Sequence, residues 1–185
     1  MRKFMVALML CFVSIGTFAQ FSVGEYVQLV KGLAGWYQGK IALAVTNIDG
    51  VEVPTMCLYM HNSVDYDIYD EESRILVKFD DDTKMTLHRL KGDQTLKEYD
   101  NQVINGVLYR HYQTYTQYYV EMDFLNKLLT NGIIKVRVVM ANGDAKDYEI
   151  KGGYQKELSS KLKDSYVTAR KKNKQREKNM NDDDF

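Results

Sequence analysis

The side chains able to do chemistry are few, and none stands in a catalytic pattern. Three histidines, His61, His88 and His111, fall in or beside three different strand-like segments. No HExxH and no paired Cys/His spacing joins them, so no metal site is predicted. A nucleophilic hydrolase needs an activated serine or cysteine, yet no GxSxG elbow occurs, and neither GxGxxG nor a P-loop is present. Cys57 lies in the apolar run 56–60, where a thiol reads as a small buried hydrophobe. Paired acids for glycoside hydrolysis are set by spatial and not sequential spacing. An envelope hydrolase using dispersed carboxylates is therefore the rival reading from the enzyme class, and no catalytic residue is assigned.

Carboxylates cluster twice. Asp65, Asp67, Asp70, Glu71 and Glu72 share one segment, and Asp80, Asp81 and Asp82 share another. Calcium needs several converging oxygens, and Tyr69 and Asp70 stand where an EF-hand loop requires its third ligand and its glycine. Both clusters read as solvated acidic loops, and no cofactor is implied.

The residues most suggestive of recognition are aromatic. Segment 109–119 reads Tyr-Arg-His-Tyr-Gln-Thr-Tyr-Thr-Gln-Tyr-Tyr. As a strand it puts Tyr109, His111, Tyr115 and Tyr119 on one side, with Arg110, Tyr112, Thr114, Thr116 and Tyr118 on the other. A strand needs rings only on its buried side, and this one has them on both. Tyrosine packs its ring while its hydroxyl stays hydrated, and it is enriched at interfaces. The side with more hydroxyls is the wetter one, so Arg110, Tyr112 and Tyr118 are the candidate ligand contacts.

The elements that must position these residues follow from composition and period. The chain has 185 residues, 45% of them hydrophobic, with 25 basic and 25 acidic side chains and one proline. That is one domain with appendages, and it excludes a wholly basic nucleic-acid binder and proline-rich disorder. Residues 2–19 carry a short positive start, an apolar run over 4–15 broken only by Ser14, and small residues at Thr17 and Ala19. This is the pattern of a secretory leader cleaved after Ala19. The run is shorter than the roughly 20 apolar residues a spanning helix needs. Cys11 lies mid-run, which excludes a lipoprotein anchor. No second long apolar segment follows, so the mature chain is expected to be soluble in the periplasm or outside the cell, without an internal disulfide.

Ser22 and Glu25 have capping-box spacing, and Tyr26, Leu29, Val30, Leu33 and Trp36 recur at helical spacing. They predict an N-terminal helix. From residue 40 the period becomes two. Strands are predicted over 41–48 and 53–60 around Asp49-Gly50, and over 74–79 and 84–90 around Asp80–Thr83. Asn105-Gly106 marks a further hairpin leading into 107–121. Asp123 is the expected N-cap of a short helix near 124–130, closed by a left-handed cap at Asn131-Gly132. Strands 133–141 and 144–151 follow, with Val136 and Val138 facing inward beneath a helix. Hairpins 74–90 and 133–150 alternate alike, without aligned identities.

The last element is helical. Tyr154, Leu158, Leu162, Tyr166 and Ala169 form its stripe, and the apolar stripe ends there. Residues 161–178 carry a local charge of +6, while 20–160 carry fifteen basic and twenty acidic side chains, a net charge of −5. The predicted organisation is a leader at 1–19, a single domain at 20–169 and a charged, frayed tail at 170–185. The fold class is α+β, a mostly antiparallel sheet of hairpins with an N-terminal helix, the short helix, and a long C-terminal helix packed on one face. The functional expectation is an exported, non-catalytic binding protein of the cell envelope with a protein or glycan partner and no nucleic acid. An exported immunity or inhibitor protein, its acidic body covering a basic target, is the alternative.

Overall fold

The computed structural model describes residues 20–29, 38–62, 72–91 and 96–182. The leader, the expected helical positions Val30, Leu33 and Trp36, and most of the acidic segment 65–72 lie outside the described residues. So do the side chains of 96–102 and 109–112.

The fold is α+β and antiparallel, but it contains two sheets and not one. The strands are β1 (Gln20–Val23), β2 (Val27–Gln28), β3 (Gln38–Ile48), β4 (Val51–Asn62), β5 (Arg74–Phe79), β6 (Lys84–His88), β7 (Leu96–Ile104), β8 (Val107–Tyr119), β9 (Ile133–Val139) and β10 (Ala145–Glu149). Two helices are described, α1 (Met122–Thr130) and α2 (Gly152–Asp182). A six-stranded sheet has the order β1-β3-β4-β8-β7, with β2 also on the edge of β3; a four-stranded sheet has the order β10-β9-β5-β6. The predicted hairpins form as the turn chemistry dictates. Asp49-Gly50 and Asn105-Gly106 have φ of 51° and 81°, and of 52° and 77°, the double positive φ of a two-residue I′ loop. Hairpins β5–β6 and β9–β10 lie side by side, joined through antiparallel pairing of β5 with β9.

Over the described residues 20–29 the predicted N-terminal helix does not form: Ser22 and Val23 belong to β1, and Val27 and Gln28 to β2. Capping-box spacing here coincides with a strand end. The reason is visible at Gly24, whose N–H donates to the Leu43 carbonyl at 3.0 Å. A Cβ there would stand 2.0 Å from the Ser165 carbonyl oxygen. Only glycine lets this segment pass between β3 and α2.

The inward faces of the two sheets share one core. Met56, Leu58 and Met60 of β4 and Tyr118 of β8 are buried with Ile75, Val77 and Phe79 of β5 and Val136 and Val138 of β9. Tyr148 of β10 reaches across, its hydroxyl 3.6 Å from the Met60 sulfur and its ring against Gly39, where a Cβ would sit 3.1 Å from the hydroxyl. Val136 and Val138 do face inward, but the six-stranded sheet lies opposite them. Helix α1 buries Phe124 edge-on to Phe79, with centroids 5.8 Å apart. Its N-cap is Glu121 and not Asp123, and Asn131 is extended at φ −119°, so no left-handed cap forms. Gly132 serves another need: a Cβ would lie 3.1 Å from Gln155, so its small size lets α2 approach.

Helix α2 lies along an edge of the six-stranded sheet, not flat on a face. Tyr154 donates to the Gln28 carbonyl at 3.0 Å, Lys172 to Val23 at 3.1 Å and Arg176 to Phe21 at 3.1 Å. Those carbonyls are on the segments that line the edge of β3. The tail expected to fray from residue 170 instead continues the helix to Asp182. Asn173 is fully buried, and its amide nitrogen donates to Glu52 at 2.7 Å and to Glu177 at 3.0 Å. No helix among the described residues is long and apolar enough to cross a membrane.

Two outcomes follow. Gly24→Ala forces backbone apart, and overpacking of this kind costs about 1–3 kcal/mol. At roughly 2–4 °C per kcal/mol for this chain length, thermal unfolding should show a melting temperature lower by about 5–10 °C. Truncation after Arg170 removes the contacts of Lys172, Asn173 and Arg176, and the same measurement should show a drop of at least about 5 °C. A truncated chain that melts like the parent would mean that the helix end contributes nothing.

Candidate functional site

The outward face of the six-stranded sheet carries an aromatic row. Alternation along β4 sends Met56, Leu58 and Met60 inward, which turns Cys57 and Tyr59 outward. Register then places Lys40 opposite Tyr59 on one side and Tyr115 opposite it on the other. Tyr26 enters the same face just before β2. The Tyr59 and Tyr115 rings have centroids 5.0 Å apart at 53°, and the Tyr26 and Tyr59 rings 6.2 Å apart at 62°. These are the tilted and edge-to-face pairings that ring quadrupoles favour. The Lys40 ammonium sits 5.5 Å from the Tyr59 centroid, within cation–π range. Tyr59 and Tyr115 are half-buried, while Tyr26 and Tyr119 are exposed.

Beneath the row the face is neutral and polar. The Thr46 hydroxyl donates to the Gln117 side-chain oxygen at 2.7 Å and lies 3.0 Å from the Thr55 hydroxyl, all three residues being buried. The Tyr115 hydroxyl donates to the Gln113 side-chain oxygen at 3.3 Å. Although 39% of the Tyr26 surface is exposed, the partial burial of its phenol group raises its pKa above the usual value, and the neighbouring Cys57, which it hydrogen-bonds, and Tyr115 add to this.

A groove of about 510 Å3 adjoins the row. It runs between Glu25–Gln28 and the α2 residues Tyr154, Lys161, Asp164, Ser165 and Thr168, and Tyr26 borders both surfaces. Its charges are partly matched: Lys161 pairs with Glu157 at 2.9 Å and lies 5.7 Å from the Tyr154 ring centre. Two carboxylates, Glu25 and Asp164, line it, and no histidine does.

The charged clusters of the four-stranded sheet and of the Asp80–Asp82 turn are paired internally. On the outer face of the four-stranded sheet, Arg137 grips Asp147 with two bonds of 2.5 and 2.6 Å, and Lys135 joins Asp147 at 2.8 Å and Glu149 at 2.7 Å. Arg137 and Lys135 hold the Asp147 carboxyl far below the usual carboxylate range. In the Asp80–Asp82 turn, Asp80 accepts from Asn131 at 2.9 Å, Asp81 pairs with Lys127, and Asp82 pairs with Lys78 at 2.6 Å. No group of three His, Cys, Asp or Glu able to hold a metal gathers among the described residues.

The predicted contacts are dispersed. The alternation expected for 109–119 holds over 113–119, but the side taken as open is the buried one: Thr114, Thr116 and Tyr118 are at most 3% exposed. Tyr118 lies in the core with its hydroxyl 3.2 Å from that of Ser73. A second sheet covers this side, and one hydroxyl partner suffices to bury a tyrosine there. Arg110 and Tyr112 occupy β8 positions opposite Asn101 and Tyr99, and their side chains lie outside the described residues. His61 is on β4 and His88 on β6, in different sheets. The sequence reading missed Tyr26, Lys40 and Tyr59. For Tyr59 the signal was present, since Met56, Leu58 and Met60 claim the inner side.

A neutral Tyr26 phenol is favoured in the folded chain, so its contribution to stability is complete below the unfolded tyrosine value near 10 and is lost as pH rises beyond it. In a phenolate absorbance titration, Tyr26→Phe should remove a step from the most alkaline limb. Its chemical-denaturation stability should also fall less steeply than the parent's above about pH 10. Loss of a step in the ordinary range instead would place Tyr26 in an unperturbed setting.

Compared with family models, with curated proteins and with solved structures, the chain matches none, and its aromatic surface has to be judged by its own chemistry.

Proposed function

We propose that this chain is an exported, non-catalytic binding protein of the cell envelope, and that a protein partner docks where the outward side of the six-stranded sheet reaches water, at Tyr26 and Tyr119 beside the half-buried Tyr59 and Tyr115. The observation that carries the reading is the row of Tyr26, Tyr59 and Tyr115, with Lys40 beside it and the exposed Tyr119 on the same face. Tyrosines held by neighbouring rings lose little side-chain freedom on binding, which is why such residues anchor interfaces. Their tilt favours a protein over a glycan. A pyranose stacks on rings laid flat in one plane, whereas rings inclined at 53° and 62° present edges and hydroxyls. Tyr118, buried in the core, leaves the contact set, and Tyr115 takes its place; Arg110 and Tyr112 lie further along the same strand.

The export reading rests on the residue pattern of 2–19. Protein recovered from an exporting host should have the intact mass of a chain starting at Gln20. Immobilised against envelope extract, it should retain a protein partner. Tyr59→Ala/Tyr115→Ala should weaken that capture by about 30-fold, the equivalent of an anchor loss of about 2 kcal/mol. Tyr119→Ala, at an exposed position of the same face, should weaken it without moving the melting temperature. A retained leader would defeat the export reading. Parental capture by both variants, or capture of soluble glycan alone, would defeat the proposed surface.

A further inference from the structure

The hairpin joining β7 to β8 outruns the sheet that carries it. Strand β8 pairs with β4 from Tyr112 to Tyr119, but with β7 from Val107 to Tyr115. Among the described residues, the rungs from Asp100 with His111 to Ile104 with Val107 have no third strand. They form a two-stranded arm ending in the Asn105-Gly106 turn. The tip is apolar and open to water: Val103 is 69% exposed, Ile104 39%, Val107 54% and Leu108 52%. Val103 stands opposite Leu108, and Ile104 opposite Val107. Successive rungs point to opposite faces of a ribbon, so both faces of this tip present apolar side chains.

That two-sidedness constrains the occupant. A patch meant to lie against a flat partner needs one apolar face, but a tip apolar on both faces is satisfied only when surrounded. Four side chains also fall short of the roughly 1,200 Å2 of a stable protein–protein interface. We propose that the arm inserts its tip into the surface of a lipid bilayer. Behind the short Asn105-Gly106 apex come the two apolar rungs, and the polar and charged residues of the hairpin begin only at the next rung, Gln102 with Tyr109. At about 3.4 Å per rung the two apolar rungs span about 7 Å. An interfacial element sinks about 5–10 Å. Residues 101–109 carry no charge, and 96–112 balance Lys97 and Arg110 against Glu98 and Asp100. Insertion is therefore driven by apolar burial and not by anionic lipid, and with so small a tip it is reversible. It does not depend on the protein partner proposed above.

The test is vesicle co-sedimentation of the protein recovered from an exporting host. Binding to phosphatidylcholine vesicles and to vesicles containing phosphatidylglycerol is expected to agree within about twofold and to survive high salt. Val107→Asp/Leu108→Asp should lower the bound fraction at least about tenfold while melting like the parent, because both side chains are exposed. A Leu108→Cys protein carrying an environment-sensitive dye should shift its emission to the blue with vesicles; Cys57 is buried, which leaves position 108 as the labelling site in a chain starting at Gln20. Three results would overturn the proposal. One is absence of binding to either vesicle. Another is salt-sensitive binding confined to the anionic vesicles and untouched by the double variant, which would point to the basic end of α2. The third is a dimer, detected by sedimentation without lipid, that the double variant dissociates.

Discussion

A helix side chain occupies a gap in a strand ladder, and much of the structure depends on it. Strand β3 is flanked on its outer edge by β1 over Ala44–Asn47 and by β2 over Lys40 and Ile41. Leu43 falls between them. Its N–H donates to the Ser165 hydroxyl at 3.0 Å, and its carbonyl accepts from Gly24 N–H at 3.0 Å and from Ser165 at 3.3 Å. A buried backbone group without a partner costs about 1–3 kcal/mol, so this position fixes both the register of α2 and the need for glycine at 24. Farther along, Tyr154 at one end and Lys172 and Arg176 at the other hold the helix to the same edge. An edge that would invite another strand is thereby closed. The opposite edge, β7, has no such cover among the described residues, and the apolar arm belongs to that side.

Closing the core with a second sheet decides which side chains of the six-stranded sheet turn away from it. The inner face of the six-stranded sheet is filled by Ile41, Leu43, Met56, Leu58 and Tyr118, all at most 1% exposed. The side turned away from that core holds buried small residues at Ala42 and Ala44 and the half-buried rings of Tyr59 and Tyr115. The aromatic row is therefore a consequence of the same alternation that makes the core. The outer face of the four-stranded sheet has the contrary chemistry, cations and carboxylates paired across β9 and β10, which neutralises it locally. Two faces of one sandwich thus differ sharply in their capacity to hold a partner.

Local rules were enough for the hairpins. Asp-Gly and Asn-Gly turns need positive φ at both residues, and alternation over 74–79 and 133–139 shows its period within the segment itself. The N-terminal strands were not legible, because Ser22 and Glu25 have helix-start spacing while the requirement on Gly24 comes from α2, about 140 residues away. The side of β8 that turns inward was equally hidden. Alternation separates Tyr115 from Tyr118 but does not say which side meets a second sheet. The helix end was missed for a chemical reason: Ala169 is followed four residues later by Asn173, buried through hydrogen bonds to Glu52 and Glu177, and an apolar criterion stops one turn short of it. Of the candidate site, Tyr115 and Tyr119 were visible as part of a tyrosine strand, whereas their meeting with Tyr26 and Lys40 depends on the pairing of β2, β3, β4 and β8.

The central claim is that the aromatic outward face of the six-stranded sheet is where a protein partner docks. Site-specific photo-crosslinking in an exporting host measures this most directly, with a photoreactive phenylalanine placed at Tyr119 on that face or at Thr86 on the outer face of the four-stranded sheet, both exposed positions. The account predicts a discrete protein adduct from position 119 and none from position 86. An adduct from position 86 with none from position 119 would contradict it.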